Sequence, residues 1–225
     1  MSDIAKNLTA LKQEAGDATV VAVSKTKPQE DILAAYESGH NIFGENKVQE
    51  LTDKYEALPK DIEWHLLGHL QRNKVKYIAG FIALIHSVDS LKLLKEINKQ
   101  GKKNNRTIPC LLQIHIADES SKFGLSYDEA SEILTSTTTE ALDFVHIKGL
   151  MGLATNTDDT DKVRREFRQL KSFFDTHQQE ENLVKNATLE ILSMGMSGDY
   201  PIALEEGSNM IRVGSKIFGE RNYQQ

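Results

Sequence analysis

Apolar residues along this 225-residue chain fall into short runs that alternate with helical stripes. Ile4, Leu8, Leu11 and Ala15 recur at helical spacing and predict a helix over residues 3–15, ended by Gly16. Val20-Val21-Ala22-Val23 is a continuous apolar run, the mark of a buried strand, and the strand is expected to reach Lys25. Residues 29–38 read as the next helix, with Pro28 at its first turn and Gly39 as its cap. The alternation then repeats. Strands are expected at 41–44, 62–66, 83–86, 110–115, 146–150, 189–192 and 210–213. Helices are expected at 48–58, 73–79, 87–102, 127–136, 159–179 and 201–206. Eight strands alternating with helices, after one extra N-terminal helix, predict an α/β protein: a single-domain (β/α)8 TIM barrel over residues 1–225. The rival is an open doubly wound sheet. Its glycine-rich first turn is missing, since no G-x-G-x-x-G follows the first strand.

Composition narrows the class. A net charge of −6 gives no basic footprint for nucleic acid. The longest apolar stretch, 78–85, is far short of the roughly 20 residues a membrane span needs. The first residues lack the apolar segment of a signal peptide, and a lone cysteine, Cys110, cannot form an internal disulfide. A cytoplasmic chain with a buried, reduced thiol is expected.

In such a barrel the active face is built from the loops after the strands. Val21, Val23 and Lys25 share one side of the first strand, so Lys25 follows two core valines. Burial of an ammonium there would favour the neutral, nucleophilic amine, and Lys27 would add like-charge repulsion. Taken alone, a strand-end lysine more often caps the strand in solvent, and both lysines fit that reading; the rest of the sequence reverses it. Asn46 follows the second strand, and the turn 120–124 follows the fifth. The loop 193–199, Ser-Met-Gly-Met-Ser-Gly-Asp, follows the seventh strand, and Gly214-Ser215-Lys216 follows the eighth. Small residues and serines leave backbone N–H groups open to a phosphate, and this barrel's usual phosphate site lies after strands seven and eight. Ser-Met-Gly-Met-Ser also fits a plain capping turn. Arg212 lies on the face of Gly214, inside the mouth, unless it pairs structurally with Glu190 or Glu205. His65 and His69 have no cysteine or carboxylate at convincing ligand spacing, so no metal is expected. An amine, a phosphate cradle and an inward arginine suit a ligand with an aldehyde, a phosphate and a ring acceptor.

With these motifs the sequence resembles the pyridoxal 5′-phosphate homeostasis proteins, single-domain relatives of the alanine racemase barrel. The resemblance is carried over essentially the whole chain. It rests on Ala22-Val23-Ser24-Lys25-Thr26-Lys27-Pro28, Phe43-Gly44-Glu45-Asn46, the run 64–74 (WHLLGHLQRNK), Gly149-Leu150-Met151, the run 192–197 (LSMGMS) and the run 211–219 (IRVGSKIFG). It implies an alanine racemase N-terminal-domain-like barrel, fold type III among pyridoxal-phosphate proteins. It also implies a Schiff base between Lys25, rather than Lys27, and pyridoxal 5′-phosphate. Asn46, Ser193, Met196, Ser197, Gly214 and Ser215 would join in binding the cofactor, with Arg212 at the pyridine nitrogen. His115 stands where the family would have asparagine.

The expected function is reversible binding, buffering or delivery of pyridoxal 5′-phosphate within the cell, by a monomer, with apo-enzymes as recipients and no efficient catalysis. The chain ends a dozen residues after the eighth strand, so the second domain that supplies a tyrosine base in the racemases is not expected. Tyr200 would lie at the wrong end of the cofactor. Two rivals remain: a racemase-like enzyme using His65 or His115, and a cofactor-free binder of phosphorylated metabolites.

Overall fold

Eight parallel strands pair in chain order and close on themselves, β8 returning to β1. The structure, a computed structural model, describes residues 2–118 and 123–219. The strands are β1 (Thr19–Val23), β2 (Ile42–Glu45), β3 (Glu63–Leu66), β4 (Leu84–Val88), β5 (Ile108–Ile114), β6 (Val145–Gly152), β7 (Ala187–Ser193) and β8 (Met210–Val213). The helices around them are α1 (Asp3–Ala15), α2 (Gln29–Glu37), α3 (Val48–Ala57), α4 (Val75–Ile78), α5 (Leu91–Lys103), α6 (Tyr127–Thr135), α7 (Thr137–Glu140), α8 (Thr160–Gln178), α9 (Tyr200–Glu205) and α10 (Ser215–Phe218). The barrel is thus the expected one. No helix among the described residues is long and apolar enough to cross a membrane.

Strand alternation sorts the core into two parts. Ala22, Phe43, Trp64, Ile85, Leu112, Leu150, Leu192 and Ile211 belong to the large cluster between sheet and helices. Val21, Leu84, Leu111, Met151 and Met210 pack together inside the barrel. One step of two residues further along the strands, the same inward face carries His65, His86, Gln113, Ser193 and Arg212, all buried. The interior is therefore an apolar layer beneath a polar one, and the polar layer is the floor of the mouth.

Several boundaries differ from expectation. β1 stops at Val23, because Lys27 N donates to Ser24 O at 3.0 Å and closes a turn there. Pro28 precedes the helix as its cap residue, extended at φ −68 and ψ 163. β4 runs on through Ser87 and Val88, so α5 starts later than expected, at a cap where the Ser90 side chain accepts from Leu93 N. Ser87 stays in the strand because its buried hydroxyl donates to Gly68 O at 2.7 Å. The single-turn helices α7 and α10 were not expected, since four residues carry no periodicity.

Candidate functional site

A cavity of about 410 Å³ opens at the carboxyl ends of the strands, the size of a small-ligand site. Lys25, Asn46, Met196, Ser197, Arg212, Gly214 and Ser215 all line it, with Val23, Leu67 and Leu153 as its apolar wall. Ser193 is the one expected site residue outside the lining. The turn at 120–122 lies outside the described residues. His115 is not part of the wall, and its backbone N–H donates to Leu125 O at 2.9 Å.

Lys25 sits at the second position of the turn that ends β1. Lys27 lines the same cavity, but its ammonium donates to Phe218 O at 2.9 Å and Gly219 O at 3.3 Å. It caps the C-terminus of α10, where the last carbonyls need donors. The two lysines that the sequence leaves equivalent by strand parity thus have different surroundings.

The loop after β7 turns sharply at Gly195, which has φ +91 and where a Cβ would come within 2.8 Å of the Tyr200 backbone. Beyond it the Ser197 hydroxyl accepts from Gly214 N at 3.2 Å, binding this loop to the one after β8. Met196 N donates to Asp199 Oδ1 at 2.6 Å, so Met196 contributes its side chain rather than an open amide. No hydrogen bond among the described residues takes up the amides of Ser197, Gly198 or Ser215. These donors and the Ser197 and Ser215 hydroxyls gather at one side of the cavity, an arrangement suited to an anion.

Arg212 is the floor's charge. Its Nη1 donates to Ser193 Oγ at 2.6 Å and its Nη2 to Gly152 O at 3.0 Å. Glu190 and Glu205, the carboxylates that might have paired with it, instead meet Lys148 at 3.7 Å and Arg164 at 2.5 Å. Burial lowers the Arg212 pKa to about 10, which leaves it charged at neutral pH. A guanidinium has five donors and no acceptor, so three remain after these two bonds.

Ser193 is therefore misplaced by the expectation that it holds a phosphate. It lies behind Arg212, fully buried, with His86 Nδ1 at 3.3 Å. Because Ser193 Oγ accepts from the arginine, its own proton goes to His86 Nδ1. His86 then carries its proton on Nε2 and donates to His65 Nδ1 at 3.0 Å. Arg212 sets the direction of the whole chain. Both rings are neutral: burial drives His65 down to about 3 and His86 well below its ordinary value, the latter helped by His65 and Arg212. His86 was not singled out in the sequence, although it shares its strand face with Leu84. His69 belongs elsewhere, 3.0 Å from Asp89. No group of three or more His, Cys, Asp or Glu among the described residues could hold a metal ion.

A barrel with a polar floor and open backbone donors at this end has known relatives. The family model described as alanine racemase, N-terminal domain, matches residues 1–222, and the chain belongs to that family. Within it, the chain groups with the pyridoxal phosphate homeostasis proteins. The protein of that name from Aquifex aeolicus is 41% identical over 207 residues, 92% of this chain and 88% of its own. The one from Escherichia coli is 32% identical over 99% of both chains. Among solved structures, PipY of Synechococcus elongatus with PLP bound superposes with a TM-score of 0.85 at 34% identity, covering 96% of this chain and 100% of PipY. Alanine racemase from Bartonella henselae, at 18% identity and a TM-score of 0.70, shares the fold, this chain matching 60% of its length.

The buried histidines make stability depend on pH. An unfolded histidine takes its proton near pH 6.5, whereas folded His65 does so only near 3. Between these values the unfolded state binds more protons, so stability falls with falling pH. The slope is about 1.4 kcal/mol per pH unit for each such histidine. The urea midpoint should drop between pH 7 and pH 5, and His65→Gln should flatten that drop. Equal slopes for parent and variant would contradict neutral burial of the pair.

Proposed function

We propose that this chain binds pyridoxal 5′-phosphate reversibly and serves its homeostasis, buffering the cofactor or delivering it to apo-enzymes, without efficient amino-acid chemistry. One observation carries the reading: an amine, a set of open backbone donors and an arginine with unspent donors meet in a single cavity. When bound, the cofactor supplies an aldehyde that condenses with a primary amine and releases water, and a ring that draws electrons best when its nitrogen is protonated.

Each side chain then has a task. Lys25 presents the amine from the end of β1. Ser197, Gly198 and Ser215 direct N–H groups toward the phosphate, and Gly214 keeps the β8 loop close: a Cβ there would lie 2.9 Å from Val23 O. Asn46 borders the cavity from the β2 side. Val23, Leu67 and Leu153 would pack against the ring and exclude water. Arg212 would face the ring nitrogen and, having only donors, would keep a proton off that atom and weaken the ring as an electron sink.

The same geometry argues against racemisation. Lys25, Lys27 and Arg212 are the titratable side chains of the described cavity wall. Lys27 lies on the same turn as Lys25 and caps α10, so neither it nor Arg212 offers a base on the opposite face. Tyr200, the nearest tyrosine, is buried, donates to Glu14 and accepts from Lys216 at 2.8 Å. His65 is spent on His86.

Two measurements test the proposal. Each charge-assisted hydrogen bond to the phosphate contributes roughly 1.5–3 kcal/mol. Pyridoxal without the phosphate should therefore bind at least about 100-fold more weakly than the phosphate ester; equal affinities would rule out the cradle. Deuterium exchange at the α-carbon of common amino acids should stay at background in the loaded protein. Exchange on the order of 1 s⁻¹ or faster that disappears in Lys25→Ala would overturn the non-catalytic reading.

A further inference from the structure

The turn that carries Lys25 is strained, and a group of charges behind it holds the strain in place. Ser24–Lys27 forms a β-turn, with Lys27 N donating to Ser24 O at 3.0 Å. Its third residue, Thr26, has φ +64. Turns with a positive φ there strongly prefer glycine or asparagine. A β-branched residue in that region is kept only where its surroundings over-determine it.

Those surroundings come from α3 and β2. Lys54 Nζ donates to Ser24 O at 2.8 Å, to Glu45 Oε1 at 2.8 Å and to Glu50 Oε1 at 2.7 Å. Glu50 Oε1 also accepts from Thr26 N at 2.6 Å, and Glu45 Oε1 from the Ser24 hydroxyl at 2.6 Å. The Ser24 carbonyl and the Thr26 amide belong to the two peptide groups that border the Lys25 Cα. Pinning both fixes the backbone dihedrals of Lys25, and with them the direction in which its side chain leaves. The Lys54 and Glu45 side chains are 7% and 0% exposed, so the pair is shielded from screening water. Glu45 Oε2 is buried without a hydrogen-bond partner, a cost that a purely architectural ion pair gives no reason to accept.

We propose that Glu50 and Lys54, backed by Glu45, are positioning residues for Lys25: they hold the strained turn that aims its amine into the cavity. The proposal rests on the reading of Lys25 as the amine that meets the cofactor aldehyde. None of the three lines the cavity that contains Lys25, so their effect reaches the ligand through the backbone.

The test separates amine positioning from ligand binding. Glu50→Ala removes the acceptor of Thr26 N, and this side chain is 24% exposed, so the variant should fold. Two probes are used: pyridoxal 5′-phosphate, followed by the absorbance of its link to the protein, and pyridoxine 5′-phosphate, which has an alcohol in place of the aldehyde. Glu50→Ala should slow formation of the link at least tenfold while leaving the dissociation constant for pyridoxine 5′-phosphate within threefold. Adding Thr26→Gly, which takes a positive φ without support, should return the rate to within threefold of the parent. Lys54→Met, which leaves Glu45 without its cation, should show the same split if it folds. An unchanged rate in Glu50→Ala overturns the proposal, as does a parallel loss of affinity for both probes, or a slow rate that glycine does not rescue. If the parent chain forms no link at all, the reading of Lys25 falls and the positioning role falls with it; a link indifferent to Glu50 removes the positioning role alone.

Discussion

A guanidinium that cannot shed its proton lies in the floor of the cavity, 4% exposed, and the polar groups around it are arranged to answer it. Its register is fixed by barrel closure, where β8 pairs with β1 and Arg212 stands beside Val21. Burying such a charge is costly unless hydrogen bonds compensate. Ser193 from β7 and the Gly152 carbonyl from β6 supply two of them. Because the arginine only donates, it dictates the serine proton, then the tautomer of His86, then that of His65. Four strands contribute to this one-way chain, so the polar layer is set as a unit and the remaining guanidinium donors keep their place at the cavity.

The rim is held from outside the barrel. Lys27 ties the turn after β1 to the last carbonyls of α10. Tyr200, at the start of α9, donates its hydroxyl to Glu14 of α1, while Lys216 of α10 donates to that hydroxyl and lies 4.6 Å over the ring. The extra N-terminal helix is therefore joined to both helices that follow the loops after β7 and β8. These contacts keep the loops after β7 and β8 near Lys25; Glu14, Tyr200 and Lys216 lie outside the cavity lining, and Lys27 lies within it.

Much of this was legible in the residues. Alternation of Met210 and Arg212 put the arginine on the inner face, whereas Lys25 reaches the cavity from the turn beyond β1 and not by the strand parity expected of it. Glycine and serine after β7 and β8 marked loops that do line the cavity. The polar chain behind Arg212 was not legible: Ser193 and His86 are 107 residues apart, and only the closed sheet brings β4 and β7 to the same layer. Glu50 and Lys54 have the spacing of any surface helix pair, and nothing in the sequence says that this pair faces the turn. The strand expected at 83–86 stops short of the observed end at Val88, because a helix was expected from residue 87. A buried hydroxyl bonded to Gly68 kept the strand going instead.

The account stands on one assignment, that the aldehyde of the cofactor meets Lys25 and not its neighbour two residues on. Reducing the protein with borohydride in the presence of pyridoxal 5′-phosphate, digesting it and sequencing the labelled peptide by mass spectrometry tests that assignment directly. The expected result is a single modification on Lys25, with Lys27 unlabelled. Label on Lys27, or label spread over surface lysines with none on Lys25, would contradict it.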